Sequence, residues 1–336
     1  MAATLETYLR SAASTRNITK IFNDVPGQMP PTLSKTRTNR ILIYNGCFNP
    51  PHHGHRALLY HSFHHCGEDL NVVAAIVLVA GDHYLGWKLP RHSQALRLSV
   101  AQRMQLWDAE LEGRVNWCFV CPEDDWFVVE VVLGRELRRD GFSVEFVHVV
   151  GGDKVSRASQ THGVWGCQTM ITSDICRPVD FYPDRDSAPQ NLTRHGPWRR
   201  VEVDDEILME RARAKVLHSH STLENTPEDS PSDASRPAAD EPVAPVLLDQ
   251  VADVYQHSLT AAGKRKLWVC DLTTTKRGYS VRFVASEDHL DPTISSEKIR
   301  GSLLSPQTSN LEEELRDIAL SPALLMQFLN TARSGS

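Results

Sequence analysis

Short apolar runs alternate with stretches of helical periodicity along most of this chain. The apolar runs have strand length, and the stretches between them place apolar residues three and four positions apart, as an amphipathic helix does. The predicted strands cover residues 41–44, 71–80, 114–120, 143–150, 169–175, 267–272 and 279–285. The predicted helices cover residues 56–63, 91–107 and 126–139, with one or two more within 311–331. This alternation is typical of an α/β protein with a doubly wound parallel sheet.

Two segments depart from the alternation. Residues 1–39 are rich in Ser, Thr and Arg and are predicted to form an N-terminal extension that contains a helix over 4–13. Residues 218–246 are rich in Ser, Pro, Asp, Glu and Ala. Because they carry few large apolar side chains, they cannot offset the entropy of ordering, and we expect a disordered insert. The insert interrupts a single domain over 40–333, since candidate phosphate-binding residues lie on both sides of it.

Composition and charge narrow the functional classes. The chain has 336 residues, 41% of them hydrophobic, which suffices for a sizeable core. The net charge of −6 argues against a general nucleic-acid-binding protein, which would carry a basic face. No apolar run is long enough to cross a membrane, so we expect no membrane partner, while a homo-oligomer stays possible.

The seven cysteines are an odd number scattered along the chain, and we recognise no secretory signal. We therefore expect free thiols in a reducing compartment, the cytoplasm or the nucleus. Cys118 and Cys121 have the spacing of zinc ligands, but no second pair lies at a matching distance and the run around them is strand-like. Buried thiols are the favoured interpretation, and no residue is assigned as a metal ligand.

The segment 46–55, Gly-Cys-Phe-Asn-Pro-Pro-His-His-Gly-His, lies where the first predicted strand turns into the first predicted helix. An open α/β sheet binds phosphates at such a turn, because free backbone N–H groups and the positive end of the helix dipole both face the ligand. The imidazoles of His52 and His55 can donate hydrogen bonds to phosphate oxygens there. We expect the backbone N–H groups of this turn to approach phosphate oxygens.

A second candidate phosphate-binding segment, residues 294–300, opens another predicted helix. The hydroxyl groups of Ser295 and Ser296 can cap that helix or bind an anion. Lys298 and Arg300 add positive charge, and the arginine fork suits a polyphosphate. Taken alone, the segment also fits an ordinary capped surface helix.

The fourth predicted strand ends in Gly-Gly-Asp-Lys at residues 151–154. Glycines at the carboxyl end of a parallel strand allow close approach of a ligand, so Gly152 and Asp153 are candidates for a nucleotide pocket. Asp153 could bind a ribose hydroxyl, a base amine or, through water, magnesium. A simple turn is the alternative.

The first segment matches the pattern G-x-F-x-P-x-H-x-G-H at every fixed position and resembles the nucleotidyltransferase (cytidylyltransferase-like) superfamily. The second is similar to the superfamily's I-S-S-T-x-x-R signature, with Glu297 where Thr is usual. Asn49 stands where many relatives have Asp, which is more similar to the nicotinamide mononucleotide adenylyltransferases. The resemblance implies a Rossmann-like fold and transfer of a nucleotidyl group from a nucleoside triphosphate to a phosphate or acid acceptor.

For the adenylyltransferase branch, the resemblance implies that a phosphate oxygen of nicotinamide or nicotinate mononucleotide attacks the α-phosphorus of ATP, and pyrophosphate leaves. Mg²⁺ is expected between the phosphate oxygens, with few or no direct protein ligands. His52, His55 and Arg300 would be the catalytic residues. ATP would be bound by Gly46, Cys47, Phe48, Gly54, Gly152, Asp153, Ser295, Ser296 and Lys298. The acceptor would be bound by Asn49, Tyr84, Lys88, Arg97, Trp117 and Trp126.

Several of these residues also have a structural interpretation. Lys88 could be a solvated loop residue, Arg97 could form an ion pair within the fold, and Trp117 and Trp126 could pack in the core. Two other functions stay open. One is a cytidylyltransferase, or another adenylyltransferase, that acts on a different phosphate acceptor. The other is a nucleotide-binding regulator without turnover, which Glu297 and the acidic insert would fit.

Overall fold

Eight strands form one sheet in the computed structural model of the chain. The structure describes residues 3–14, 16, 18, 20–89, 96–158, 165–224, 243–274, 278–304 and 311–334. The strands are β1 (Asn39–Gly46), β2 (Val72–Val79), β3 (Cys118–Pro122), β4 (Val144–Val149), β5 (Thr169–Ser173), β6 (Arg199–Arg200), β7 (Leu267–Asp271) and β8 (Ser280–Val284). Their order in the sheet is β3-β2-β1-β4-β5-β8-β7-β6.

Ten helices accompany the sheet in the described part of the chain. They are α1 (Leu5–Ala13), α2 (His53–His65), α3 (Asp82–Lys88), α4 (Val100–Leu111), α5 (Glu123–Arg139), α6 (Asp205–Glu224), α7 (Val243–Lys264), α8 (Ser296–Leu304), α9 (Leu311–Arg316) and α10 (Pro322–Ser334). None of these described helices combines the length and the apolar character needed to span a membrane.

The doubly wound sheet is confirmed, because the chain leaves β1 towards β2 and β3 and then returns to place β4 on the other side of β1. Neighbouring strands run parallel in the part of the sheet ordered β3-β2-β1-β4-β5-β8. The sheet departs from the predicted parallel arrangement at one edge, where β7 runs antiparallel to both β8 and β6. Strand β6 is two residues long, too short to produce an apolar pattern of its own.

The helix predicted over 91–107 begins later, at Val100. Ser99 and Gln102 form a capping box: Ser99 Oγ accepts from the Gln102 N–H at 3.2 Å, and Gln102 Oε1 accepts from the Ser99 N–H at 2.9 Å. These bonds satisfy N–H groups that the first turn of a helix leaves unpaired, so the helix begins here. Residues 90–95 lie outside the described part of the chain.

Alternate residues of β1 point into two separate hydrophobic cores. Leu42 and Tyr44 pack with α2 and α4 residues on one face, and Ile41 and Ile43 pack on the other. Both faces of the central strands are therefore covered, as the unbroken apolar run of β2 predicts. The same alternation separates Cys118 from Cys121, because each thiol belongs to a different core. The cysteines in the described residues are free.

Helix α1 packs against α5 and is part of the same compact unit as the sheet. Leu5 and Leu9 are fully buried in the core that also holds Trp126 and Leu133. The predicted boundary at residue 39 therefore does not coincide with a boundary in packing.

A second compact unit comprises residues 26–29 and 202–265. Helices α6 and α7 contact each other within it. The disordered insert predicted over 218–246 was placed too widely, since 218–224 continue α6 and 243–246 begin α7. The central part of that prediction, residues 225–242, lies outside the described residues.

Truncation of Leu9 tests whether α1 is integral to the core. Leu9→Ala should lower the free energy of unfolding by about 2–5 kcal/mol, because it removes a fully buried side chain and leaves a cavity. The neighbouring Arg10→Ala is the matched control, since the Arg10–Glu6 pair is exposed and worth little. Urea denaturation measures both variants. Equal, small effects would show that α1 is only loosely attached.

The buried histidine of β4 gives a pH dependence of stability. His148 is 6% exposed and donates from Nε2 to Asn45 Oδ1 at 2.8 Å, and burial lowers its pKa to about 4. Between about pH 4 and 6.5 the unfolded chain binds this proton and the folded chain does not, so stability present at pH 7 is lost as the pH falls. His148→Gln should reduce the loss between pH 7 and 5 by about 1–2 kcal/mol in urea titrations. An unchanged pH slope would contradict this assignment.

Candidate active site

The candidate residues gather at one edge of the sheet, where the parallel strands end. Strands β2 and β4 lie on opposite sides of β1. The loop after β1 is therefore at the point where the order of strands in the sheet reverses. Open α/β sheets bind ligands in the crevice at this switch point. The turns after β2, β4 and β5 end at the same edge, and they add residues 81–88, 151–154 and 174–179 to the loop between β1 and α2.

The shape of the loop depends on Gly46 and Phe48. Phe48 has a φ of 46° and is 3% exposed, with its ring 5.3 Å from the rings of Tyr44 and Trp107. A Cβ atom on Gly46 would lie 2.9 Å from this ring, which is closer than real contacts allow. Gly46 is therefore required so that the Phe48 ring can turn into the core. The Phe48 side chain anchors the loop, and its contribution to ligand binding can come only from its backbone.

His52 and His55 stack on each other at the start of α2, with ring centroids 3.5 Å apart and an angle of 26° between the planes. The His52 N–H donates to His55 Nδ1 at 3.2 Å, which leaves the proton of the neutral His55 ring on Nε2. A Cβ on Gly54 would lie 3.0 Å from the His52 ring, so the glycine makes room for the stack.

Both imidazoles are held in their neutral form. Burial, together with the charge of Arg177, lowers the pKa of His52 to about 3. Burial and the nearby His52, Lys88 and Arg177 hold the pKa of His55 well below its usual range. His55 is nevertheless partly exposed. It can therefore offer its Nε2–H to a ligand as a donor that carries no charge.

The two motifs meet directly, although they lie far apart in the sequence. Arg300 Nη1 donates to the Asn49 carbonyl at 2.7 Å, and Ser296 Oγ donates to the Pro50 carbonyl at 2.7 Å, across sequence separations of 251 and 246 residues. The start of α8 is thus fixed against the loop that carries the histidines. The second motif therefore lies directly beside the histidine loop, which the interpretation as an ordinary capped surface helix does not predict.

The Asn49 side chain is used up in this scaffold. It is 2% exposed, donates to the Leu96 carbonyl at 2.8 Å and accepts from the Leu98 N–H at 3.0 Å. Asn49 therefore joins the loop to the segment before α4, and its side-chain amide is engaged by backbone groups of that segment.

Arg103 is a residue that the sequence analysis missed. Its guanidinium is fully buried and donates to the Cys47 carbonyl at 2.7 Å, to Asp82 Oδ1 at 2.6 Å and to the Leu98 carbonyl at 3.1 Å. One side chain thus joins the loop after β1, the start of α3 and the segment before α4. Only its position one turn after a helix start distinguishes it in sequence, so tertiary structure was needed to find it.

Two further cations flank the histidines. The Lys88 ammonium is close enough to Cys47 and His55 to act electrostatically on both groups. Arg177, also missed in the sequence, acts on both His52 and His55, and its Nη2 donates to the Ile294 carbonyl at 3.3 Å. A cation directly after the carboxyl end of a parallel strand is the sequence signal that could have identified Arg177.

The turn after β4 lies close to the segment after β5. A Cβ on Gly152 would lie 2.8 Å from Val179 Cγ1 and 3.0 Å from the Ser173 carbonyl oxygen, so glycine is needed for this contact. Asp153 is exposed, and its carboxylate lies 3.1 Å from the Lys154 ammonium. Gly152 therefore shapes the pocket by packing, while Asp153 keeps a solvent-facing carboxylate there.

At the start of α8, Ser295 and Lys298 mainly serve the helix. Ser295 Oγ accepts from the Lys298 N–H at 3.1 Å, which caps the helix. The Lys298 ammonium donates to Thr293 Oγ1 at 2.8 Å and lies 3.6 Å from Asp291 Oδ2. Glu297 is exposed on the same turn. Ser296 and Arg300 are thus the members of this motif that contact the histidine loop.

Trp117 and Trp126 lie away from the site. Trp117 is 8% exposed and stacks on Phe63, with ring centroids 3.7 Å apart and planes 7° apart. Trp126 is fully buried in the core on the opposite face of the sheet. Neither ring is available to stack on an acceptor, so the core interpretation holds for both in this structure.

Tyr84 and Arg97 lie near Lys88. Tyr84 is on α3 and is 51% exposed. Arg97 is exposed, precedes α4 and donates from Nη2 to the Gly86 carbonyl at 3.2 Å. The expectation that Arg97 lies in a helix is wrong, because α4 begins three residues later.

A cleft of about 310 Å³ opens beside Arg177. The Asp174 carboxylate lies at its wall, where it accepts from the Ser286 N–H at 2.8 Å, and burial raises its pKa. The other lining residues are Cys176, Arg177, Pro178, Val179, Tyr182, Pro183, Arg185, His289, Leu290 and Pro292. A space of this size, with apolar walls and a few polar groups, suits a small organic ligand.

The donor set around the loop is cationic and imidazole-rich, which fits phosphate oxygens as ligands. Among the described residues, no three His, Cys, Asp or Glu side chains come together in a way that could hold a metal ion.

A search of curated proteins gave no match to this chain. Residues 43–166 match the family model described as Cytidylyltransferase-like. The matched region runs from β1 past the turn after β4, and so contains both histidines, Lys88 and Asp153. With the geometry of the loop, this match supports a place for the protein in the nucleotidyltransferase superfamily, with nucleotidyl transfer as its general activity.

Proposed function

We propose that the protein transfers the AMP moiety of ATP to nicotinamide or nicotinate mononucleotide, giving a dinucleotide and pyrophosphate. The observation that carries the proposal is the pair of stacked, neutral histidines with Lys88, Arg177 and Arg300 around them. Three cations suit the negative charge of a triphosphate and an acceptor phosphate, and the partly exposed His55 Nε2–H suits a phosphate oxygen.

In this proposal the reaction needs no protein nucleophile. The acceptor phosphate oxygen attacks the α-phosphorus of ATP, a P–O bond forms there, and the bond to the β-phosphate breaks to release pyrophosphate. The chain contributes positioning and stabilisation of charge. His55 donates from Nε2 to an oxygen of the α-phosphate as negative charge develops. Because its pKa is held low, the ring stays a fixed hydrogen-bond donor and does not exchange a proton with the phosphate.

The cations divide between the two substrates. Arg300, at the start of α8, binds the β- and γ-phosphates, while Ser296 holds the helix against the loop. Lys88 approaches from α3 on the other side of the loop and binds the acceptor phosphate. Arg177 lies between the histidines and the cleft, so it joins the phosphates to a nucleoside in that cleft. The guanidinium groups retain N–H donors beyond those that hold the backbone.

ATP would be used as its Mg²⁺ complex, and the ion would supply neutralisation of phosphate charge. The chain's own cations and imidazoles are suited to the phosphates, and Asp153 is the nearby solvent-facing carboxylate that could reach the ion through water.

A second candidate function is nucleotidyl transfer to a different phosphate acceptor. The burial of Trp117 and Trp126 favours it, because these rings had been part of the argument for a nicotinamide ring. The two candidates are separated by measuring pyrophosphate release from Mg·ATP or Mg·CTP with each mononucleotide and with other phosphate esters. Turnover restricted to ATP with a pyridine mononucleotide is the expected result. Turnover with another ester alone would replace the proposal, and no turnover at all would favour a nucleotide-binding regulator.

Replacement of His55 tests the proposed donor. His55→Ala should lower kcat about 10²-fold or more and change the KM for ATP little, because the bond strengthens as charge develops. His64→Ala is the control, since His64 lies on the same helix but is exposed and packs beside Trp117. Steady-state kinetics of both variants decide the point. A His55→Ala enzyme within a few-fold of wild type would remove His55 from the mechanism.

Replacement of Arg300 tests the triphosphate clamp. Arg300→Ala should weaken ATP handling by about 2–3 kcal/mol, seen as a raised KM for ATP, because a charge-assisted donor is lost. Arg316→Ala is the control, since Arg316 is exposed on α9 and makes a long, exposed ion pair of 3.8 Å with Glu313. Thermal melting of both variants separates loss of the Asn49 carbonyl bond from loss of ligand contacts. An unchanged KM for ATP in Arg300→Ala would show that the motif only holds the loop.

A further inference from the structure

Helix α3 presents two aromatic side chains to solvent. Trp87 is 81% exposed and Tyr84 is 51% exposed, with ring centroids 6.2 Å apart and planes 41° apart. All seven tryptophans lie in the described part of the chain, and the other six are buried or half-buried. Because the two rings are neighbours, they form a small exposed aromatic patch, and a contiguous apolar patch of this kind is suited to contact with a ligand.

The same face of α3 carries Lys88. Residues 84, 87 and 88 are separated by three and four positions, and such residues are neighbours on one side of a helix. The Lys88 ammonium acts electrostatically on Cys47 and His55, and Arg103 bonds both Asp82 of this helix and the Cys47 carbonyl of the loop. The face with the two aromatic rings therefore borders the phosphate site.

Three contacts fix the orientation of this face. Asp82 at the start of α3 accepts from the fully buried Arg103 at 2.6 Å. Leu85, on the opposite side from the exposed rings, is 2% exposed. The Gly86 carbonyl accepts from Arg97 at 3.2 Å. The helix is thus held by the same guanidinium that holds the histidine loop, so the rings and the loop keep a defined relation.

We propose that Trp87, with Tyr84 beside it, stacks on the aromatic ring of the acceptor mononucleotide whose phosphate Lys88 binds. The inference rests on the proposed function and deepens it, because it names the residue that selects a ring-bearing acceptor. A mononucleotide presents a phosphate and a flat ring with a sugar between them. Helix α3 presents the complement, an ammonium beside the phosphate site and an indole that faces outward, and an indole also attracts a cationic pyridine ring.

Fluorescence measures the contact without requiring turnover. Because Trp87 is the most exposed indole, acrylamide should quench its emission first, and Trp87→Phe should remove that readily quenched component. Nicotinamide mononucleotide and nicotinate mononucleotide should protect the component in the wild-type protein. Ribose 5-phosphate, which has the phosphate but no ring, should not. Equal protection by ribose 5-phosphate, or no protection by any mononucleotide, would overturn the inference.

Kinetics supply the second arm. Trp87→Ala should raise the KM for the acceptor about 10-fold or more, as loss of a base-stacking ring does, while kcat, the KM for ATP and the melting temperature change little. Trp87→Phe should restore part of the affinity. Phe127→Ala is the matched control, because Phe127 is a 71% exposed aromatic residue on α5. An unchanged KM for the acceptor in Trp87→Ala would overturn the inference and leave the proposed function intact.

The two proposals fail separately. If neither pyridine mononucleotide turns over, the proposed function fails, and protection of Trp87 by AMP or CMP decides the stacking role: one protecting nucleotide supports it and none overturns it. Dependence of the quenching on protein concentration without ligand would show that a second copy of the chain covers Trp87, which also overturns the inference.

Discussion

The backbone carbonyl groups between β1 and α2 are not paired by regular strand or helix hydrogen bonds, so they need other donors. The candidate site is arranged around those donors. A buried carbonyl without a donor is costly, and the loop continues over residues 46–51. Five donors from four parts of the chain supply these bonds: the Ala80 N–H to Gly46, Arg103 to Cys47, Arg300 and Ser296 of α8 to Asn49 and Pro50, and the Leu320 N–H to Pro51. Because a peptide N–H lies opposite its carbonyl, the N–H of Phe48 points away from Arg103. Satisfying the loop thus also assembles the site.

The charges around the loop act in two ways. Lys88 and Arg177 attract phosphates, and they also help burial to keep His52 and His55 from binding protons. A neutral imidazole held against its neighbour contributes little until charge develops. In the proposed reaction, this arrangement would stabilise the transition state more than the bound substrate.

The sequence predicts the winding of the sheet and the first motif well, because both depend on local patterns. Apolar runs report buried strands, and Gly46 and Gly54 stand where a Cβ would collide with Phe48 or His52. The sequence does not predict which side chains cross between elements. Arg103 and Arg177 acquire their roles from neighbours distant in the chain, and Trp117 is withdrawn from the site by stacking on Phe63. Helix α3 is too short for periodicity to reveal, although it carries Lys88.

The chain leaves the sheet after β6, forms the helices of the second compact unit and re-enters the sheet at β7. Strands β6 and β7 are adjacent and antiparallel. Val201 donates from its backbone N–H to the Leu267 carbonyl at 2.9 Å, so the chain departs and re-enters at nearly the same point. The segment between β6 and β7 therefore connects two adjacent antiparallel strands, as the turn of a β-hairpin does. Since closure entropy grows slowly with the length of a connection, this junction can accept segments of very different size. The helical unit is thus a module that evolution can lengthen, shorten or exchange while the strands on either side keep their register.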